Sequence, residues 1–171
     1  MNHRLHPAVL LLLGNIILVT MVAQANHYLA AWQLHLWLGG LLVTPAALSA
    51  RHRAGAAVVF LTGLAMDATS PVAFGTQALV LLAGHALVYT WRDRLARSEA
   101  TAQAMAALTA NLVTFLLLAV AESFTAPRPG GALGRLLADL VASQLVLALV
   151  APWFCALQAR LLAPAGGRDA N

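Results

Sequence analysis

Charged side chains are scarce in this sequence. Asp, Glu, Lys and Arg together make up 9% of its 171 residues, no residue is lysine, and 61% of the chain is hydrophobic. A soluble domain needs polar faces that repeat at the period of its helices or strands. Here charges are absent over stretches of about 20 residues, the length of helix that crosses a bilayer. The composition therefore excludes an ordinary soluble domain and indicates an integral membrane protein.

Cysteine is nearly absent as well. The single cysteine, Cys155, excludes an intrachain disulfide and a cysteine-rich zinc site. Without lysine the chain cannot form the Ser–Lys pair of some intramembrane hydrolases. It also contains neither a G-x-S-x-G nor an H-E-x-x-H motif. We therefore expect a protein that is not an enzyme and that holds no cofactor.

Apolar residues fall into six runs that short polar connectors separate. The runs cover roughly residues 7–25, 28–49, 54–68, 72–91, 101–121 and 136–158. We predict that each run is a transmembrane helix and that residues 1–171 form one all-α, six-transmembrane-helix bundle. The first run ends in Ala23-Gln24-Ala25, which resembles a signal-peptide cleavage site, and we interpret the run as a retained helix.

The arginines predict how these helices are oriented. Eight of the ten lie in connectors or tails that an alternating arrangement places on one side, and only Arg128 and Arg135 lie on the other. Because basic residues remain on the cytoplasmic side, we predict cytoplasmic termini in a multi-pass protein of the bacterial plasma (inner) membrane. This distribution also explains the basicity of the chain without a nucleic-acid partner.

Asp67 ends the third apolar run. A carboxylate in a membrane helix is costly and normally faces protein or water. We favour the interpretation that Asp67 accepts hydrogen bonds from the first backbone N–H groups of the fourth helix, through Thr69 and Ser70. A buried functional polar contact and proton or ion transport are the alternatives. Gly63 and Gly75 are expected to permit close helix approach or a tight turn.

Three histidines lie in or beside the apolar runs. His27, His35 and His85 come from different segments, and no two of them have the i, i+4 spacing that places both imidazoles on one helix face. We therefore predict that they do not share a metal ion.

Small residues recur along the fifth run. Ala102, Ala106 and Ala110 follow one another at four-residue spacing, and membrane helices approach one another closely at such residues. The stripe could dock a lateral partner or pack against another helix of the same bundle. We favour internal packing and keep the docking face as the alternative.

Several short motifs follow one another along the chain. They are Arg51-His52-Arg53-x-Gly55, Gly63-x-x-x-Asp67, Pro71 and Gly75 before a basic loop, and Pro152-Trp153 with Leu157 and Arg160 near the end. In this order they resemble the family of the rod shape-determining protein MreD. The likeness extends over nearly all of the chain at the level of layout. The lysine-free composition and the Pro/Gly-rich connector at 127–131 depart from the usual family pattern.

The resemblance implies a function and a set of partners. It implies a non-enzymatic subunit of the cell-wall elongation complex that maintains cell shape together with MreC, a single-span protein. It further implies links to MreB filaments and to a SEDS glycosyltransferase with its penicillin-binding protein. The family is thought to share a six-helix fold with the substrate-binding subunits of energy-coupling-factor vitamin transporters.

Two classes of function therefore stay open: a scaffold of the elongation complex and a small-molecule-binding subunit of a transporter. A vitamin-binding subunit needs a roomy outward cavity in which several polar groups and aromatic rings converge. The polar residues of the apolar runs number only one or two per helix, which favours hydrogen bonds between helices. We therefore prefer the scaffold.

Overall fold

The structure is a computed structural model that describes residues 6–70, 72–94, 100–125 and 132–162. Pro71 and the predicted connector that contains Arg128 lie outside the described residues. Within these four ranges the chain is helical and contains no strand. The helices are α1 (Pro7–Leu29), α2 (Gly39–Ser49), α3 (His52–Asp67), α4 (Thr76–Trp91), α5 (Ala100–Thr125) and α6 (Ala132–Leu162), and a 3₁₀ turn, Ala30–Trp32, extends α1.

Three helical segments are long and apolar enough to cross a membrane. They are Pro7–Trp32, Thr101–Phe124 and Leu133–Leu162. The 31 residues of α6 extend about 46 Å at 1.5 Å per residue, which exceeds the ~30 Å of a bilayer core. The described chain therefore agrees with the prediction of an all-α membrane protein.

The apolar run at 28–49 is not one helix. Its first residues complete α1 and the 3₁₀ turn, Gln33 has a positive φ of 57°, and α2 begins only at Gly39. Residues 33–38 carry no helix, and we call them the extended segment. An apolar run cannot reveal such a break, because the side chains that satisfy the freed backbone groups come from helices distant in sequence. The other five runs correspond to the remaining helices.

Helix α2 is the centre of the bundle. Each of its residues from Gly39 to Ala47 is buried, and it contacts each of the other five helices. At Gly40 an added Cβ would collide with the backbone carbonyl of Ala107, so α2 and α5 approach at backbone distance. A helix that is apolar all round and only 11 residues long is suited to such a core position rather than to a lipid-facing one.

The alanine stripe of α5 faces the inside of the bundle. Ala106 and Ala110 are buried and Ala102 is half-buried. Internal packing, the favoured interpretation, therefore describes these side chains, and the stripe is not an accessible docking face. Pro152 lies inside α6, beside Trp153, which is 80% exposed.

Candidate functional site

Asp67 joins the end of α3 to the beginning of α4. Its carboxylate accepts backbone hydrogen bonds from Gly75 at 3.0 Å, Gln77 at 2.9 Å and Ala78 at 3.1 Å. The residue is only 3% exposed. First-turn N–H groups have no partner within their own helix, so a carboxylate here satisfies groups that would otherwise be unpaired in an apolar setting. This is the capping contact that the sequence predicts for Asp67.

The predicted route through Thr69 and Ser70 differs from the observed one. The Thr69 hydroxyl donates to the carbonyl of Met66, and the Ser70 hydroxyl accepts from the N–H of Val72. The N–H groups that donate to the Asp67 carboxylate belong instead to residues eight to eleven positions further along the chain. The turn between α3 and α4 is therefore wider than a Thr-Ser cap would make it.

Helices α3 and α4 form a helical hairpin, and its two glycines, Gly63 and Gly75, have different structural roles. An added Cβ at Gly63 would collide with the backbone of Ala78, so α3 and α4 cross there without an intervening side chain. Gly75 has a φ of 93° directly before α4, a conformation that glycine adopts far more easily than other residues. One helical hairpin, α3–α4, therefore takes its close crossing from Gly63, its cap from Asp67 and its turn from Gly75.

Asn26 pairs with the extended segment as a neighbouring strand would. Its Oδ1 accepts from the N–H of Leu36 at 2.7 Å, and its Nδ2 donates to the carbonyl of Leu36 at 3.0 Å. Both main-chain groups of one residue are thereby satisfied by a side chain of α1. Non-helical backbone within a membrane protein is tolerated where protein groups take over its hydrogen bonds.

Side chains of α5 and α6 complete the anchoring of this segment. The N–H of His35 donates to Asp139 at 2.8 Å, and the N–H of Trp37 donates to the hydroxyl of Ser143 at 2.9 Å. The indole N–H of Trp37 donates to Thr114 at 3.0 Å. The extended segment is therefore held by polar side chains from three helices.

A cavity of about 470 Å³ lies beside the extended segment. All six helices or their connectors contribute to its wall, which is mostly apolar. The polar residues that line it include Asn26, His35, Gln77, Glu122 and Asp139. Sequence reasoning missed this convergence, because each helix supplies only one or two of these residues and the fold alone brings them together.

The three histidines lie in different surroundings. His27 is in the last turn of α1 beside Tyr28, His35 lines the cavity, and His85 is buried in α4. Among the described residues no group of three or more His, Cys, Asp or Glu side chains could hold a metal ion.

A ring cluster joins α3 and α4 at the end opposite the cavity. His52 stacks on His85 with ring centroids 5.6 Å apart and contacts Tyr89 at 4.4 Å. The Arg92 guanidinium lies 4.1 Å from the centre of the Tyr89 ring, a cation–π contact. The cluster brings the basic beginning of α3 next to the basic end of α4.

The fold and composition define a class, an all-α membrane protein with a helical core. Comparisons with protein-family models, with curated proteins and with solved structures gave no match for the chain. The function is therefore proposed from the residues and their geometry.

Proposed function

We propose that this protein is a non-enzymatic scaffold subunit of the bacterial cell-wall elongation complex, similar to MreD. One observation carries the proposal: three of the motif residues that resemble MreD, those of the α3–α4 hairpin, serve its architecture. Gly63 provides the crossing of α3 and α4, Asp67 the cap and Gly75 the turn. Motif residues that serve the fold rather than chemistry suit a subunit whose role is to hold partners in the membrane.

The proposal includes six membrane spans with cytoplasmic termini in the bacterial inner membrane. Its support is the common position of the basic residues. Arg51 and Arg53 begin α3, and the ring cluster brings them to the end of α4, where Arg92 and Arg94 follow. Basic residues gathered at one end of a helical hairpin indicate its cytoplasmic end.

The orientation is tested by cysteine labelling on a Cys155→Ser background. We expect His35→Cys to react with a membrane-impermeant maleimide in intact cells, because His35 is exposed and lies at the opposite end of the bundle from the arginines of the α3–α4 hairpin. Asp93→Cys, which replaces an exposed side chain beside Arg92, should react only after the cells are opened. Labelling of Asp93→Cys from outside would overturn the orientation.

The proposed partners are an MreC-like single-span protein, MreB filaments and a SEDS glycosyltransferase with its penicillin-binding protein. Because Ala106 and Ala110 are buried within the bundle, the proposed contact uses another surface. Helices α1 and α6 offer one, since both expose large apolar side chains along their length, among them Met21, Tyr28, Leu145, Leu149 and Trp153. Association in lipid depends on van der Waals packing between helices rather than on a hydrophobic driving force.

Affinity purification from the native membrane tests these partners. We expect the tagged protein to recover the MreC-like protein encoded in the same genome. Trp153→Ala, which removes the most exposed aromatic side chain of α6, should reduce this recovery, whereas Phe74→Ala, at an exposed side chain between α3 and α4, should not. Recovery of ATP-binding-cassette ATPases in place of the MreC-like protein would overturn the scaffold proposal.

The cavity favours a second candidate function, a small-molecule-binding subunit of a membrane transporter. Its volume of about 470 Å³ lies within the ~300–1,000 Å³ of ordinary ligand sites. Aromatic rings of Trp37 and Phe115 and several polar side chains line it, the combination that the sequence alone did not reveal. Recovery of ATP-binding-cassette ATPases in the affinity purification would favour this transporter function.

A further inference from the structure

We propose that the cavity beside the extended segment binds a small amphipathic amine, an apolar molecule with one protonated amino group. This proposal does not depend on the scaffold function, because the cavity can bind an amine whether the protein is a scaffold subunit or a transporter subunit. The wall of the cavity combines a large apolar surface with two acidic side chains, Glu122 and Asp139.

The apolar part of the wall fits a compact hydrophobic body. It is formed by side chains from α1, α2, α5 and the extended segment, namely Leu18, Val22, Trp37, Leu42, Phe115 and Leu118. Two aromatic rings among aliphatic side chains provide dispersion contacts and a face on which a flat group can stack. Burial of a ligand against such a wall is favourable because it removes apolar surface from water.

The charged part of the wall is acidic. Glu122 and Asp139 line the cavity, whereas no arginine is among the described residues that line it. Asp139 accepts the His35 N–H with Oδ1, and a carboxylate has about four acceptor sites, so it retains capacity for a further donor. A low-dielectric wall strengthens the field of these carboxylates, which favours a cation over a neutral or anionic ligand.

Gln77 adds a neutral polar group to the same wall. It is 7% exposed, it lines the cavity, and its Oε1 has no hydrogen-bond partner among the described residues. A buried acceptor without a partner carries a desolvation cost that a donor group recovers. An ammonium group carries only donors, so it is matched to the carboxylates and, once the Gln77 amide turns toward the cavity, to its Oε1.

Phenethylamine is the probe, and its neutral and anionic analogues, phenethyl alcohol and phenylacetate, are matched in size. The chain has four tryptophans, and only Trp37 lines the cavity. A variant with Trp32→Phe, Trp91→Phe and Trp153→Phe therefore reports on the cavity alone. With this variant in nanodiscs, we expect phenethylamine to cause a saturable change in Trp37 fluorescence. Phenylacetate should bind at least about tenfold more weakly.

Three substitutions test whether phenethylamine binds in this cavity. Asp139→Asn keeps an acceptor for the His35 N–H but removes the charge, and should weaken amine binding about tenfold, whereas Asp93→Asn at the opposite end should not change it. Leu118→Phe should block binding by filling the cavity, and Leu116→Phe, on an exposed face of α5, should not. Gln77→Leu should also weaken amine binding, because it removes the amide oxygen.

Equilibrium dialysis of radiolabelled phenethylamine against the unmodified protein, corrected with empty nanodiscs, provides a readout that does not depend on the tryptophan variant. Saturable uptake that phenylacetate does not compete would support the site. Absence of saturable uptake, or equal competition by the amine, the alcohol and the acid, would overturn it. Neither result depends on recovery of the MreC-like partner.

Discussion

The carboxylate of Asp67 accepts the backbone N–H of Gln77 at 2.9 Å, so that the last residue of α3 caps the first turn of α4. The same carboxylate accepts two further N–H groups of that turn. Removal of the acceptor leaves three donors without partners, and the two buried ones, the N–H groups of Gln77 and Ala78, cost about 1–3 kcal/mol each. The hairpin is consequently more sensitive to loss of the oxygen atoms than to loss of the charge.

We expect Asp67→Asn to keep most of the folded protein and Asp67→Leu to lose it. Asparagine retains one acceptor oxygen and leucine retains none. Yield and thermal stability in detergent measure the difference. Asp93→Asn and Asp93→Leu are matched controls at a side chain that is 77% exposed, and both should leave stability unchanged.

Equal loss in Asp67→Asn and Asp67→Leu would show that the negative charge itself is required. Normal stability of Asp67→Asn with loss of function would instead support the alternative of a functional polar contact.

Gly63→Ala should separate α3 from α4. The added methyl group would overlap the backbone of Ala78, and overpacking of this kind costs about 1–3 kcal/mol. Gly134→Ala is the matched control, because a Cβ added there meets nothing within 4 Å. A thermal melting shift confined to Gly63→Ala is expected, and equal melting of the two variants would contradict the close crossing.

Much of the hairpin could be predicted from sequence, because its parts are local. A glycine, an acid and a second glycine within thirteen positions (63–75) suggest a crossing, a cap and a turn by their chemistry alone. The extended segment could not be predicted, because its partners Asn26, Asp139 and Ser143 lie up to 106 positions from the groups they bond. The cavity depends on the same long-range contacts.

Ser143→Ala should destabilise the extended segment. Loss of the hydroxyl leaves the buried N–H of Trp37 without its acceptor, at about 1–3 kcal/mol. Ser123→Ala is the matched control, since the Ser123 side chain is exposed and its hydroxyl donates to the carbonyl of Val120 in its own helix. Faster proteolysis or hydrogen exchange at 33–38 in Ser143→Ala is the expected result, and unchanged exchange there would contradict the anchoring.

Ala106→Leu should destabilise the protein itself. Ala106 is buried within the bundle, and a larger side chain in a packed core costs about 1–3 kcal/mol. Ala138→Leu, at an exposed position of α6, should be tolerated. A stable Ala106→Leu protein that has lost only its partner would contradict internal packing and restore the docking interpretation.

Cell shape under depletion tests the proposed function most directly. In the native bacterium we expect cells depleted of this protein to lose their rod shape and become rounded. Expression of the wild-type protein or of Asp67→Asn should restore the rod shape. Asp67→Leu should fail to restore it because the hairpin does not form. Depleted cells that keep a normal length-to-width ratio over several generations would contradict a role in wall elongation.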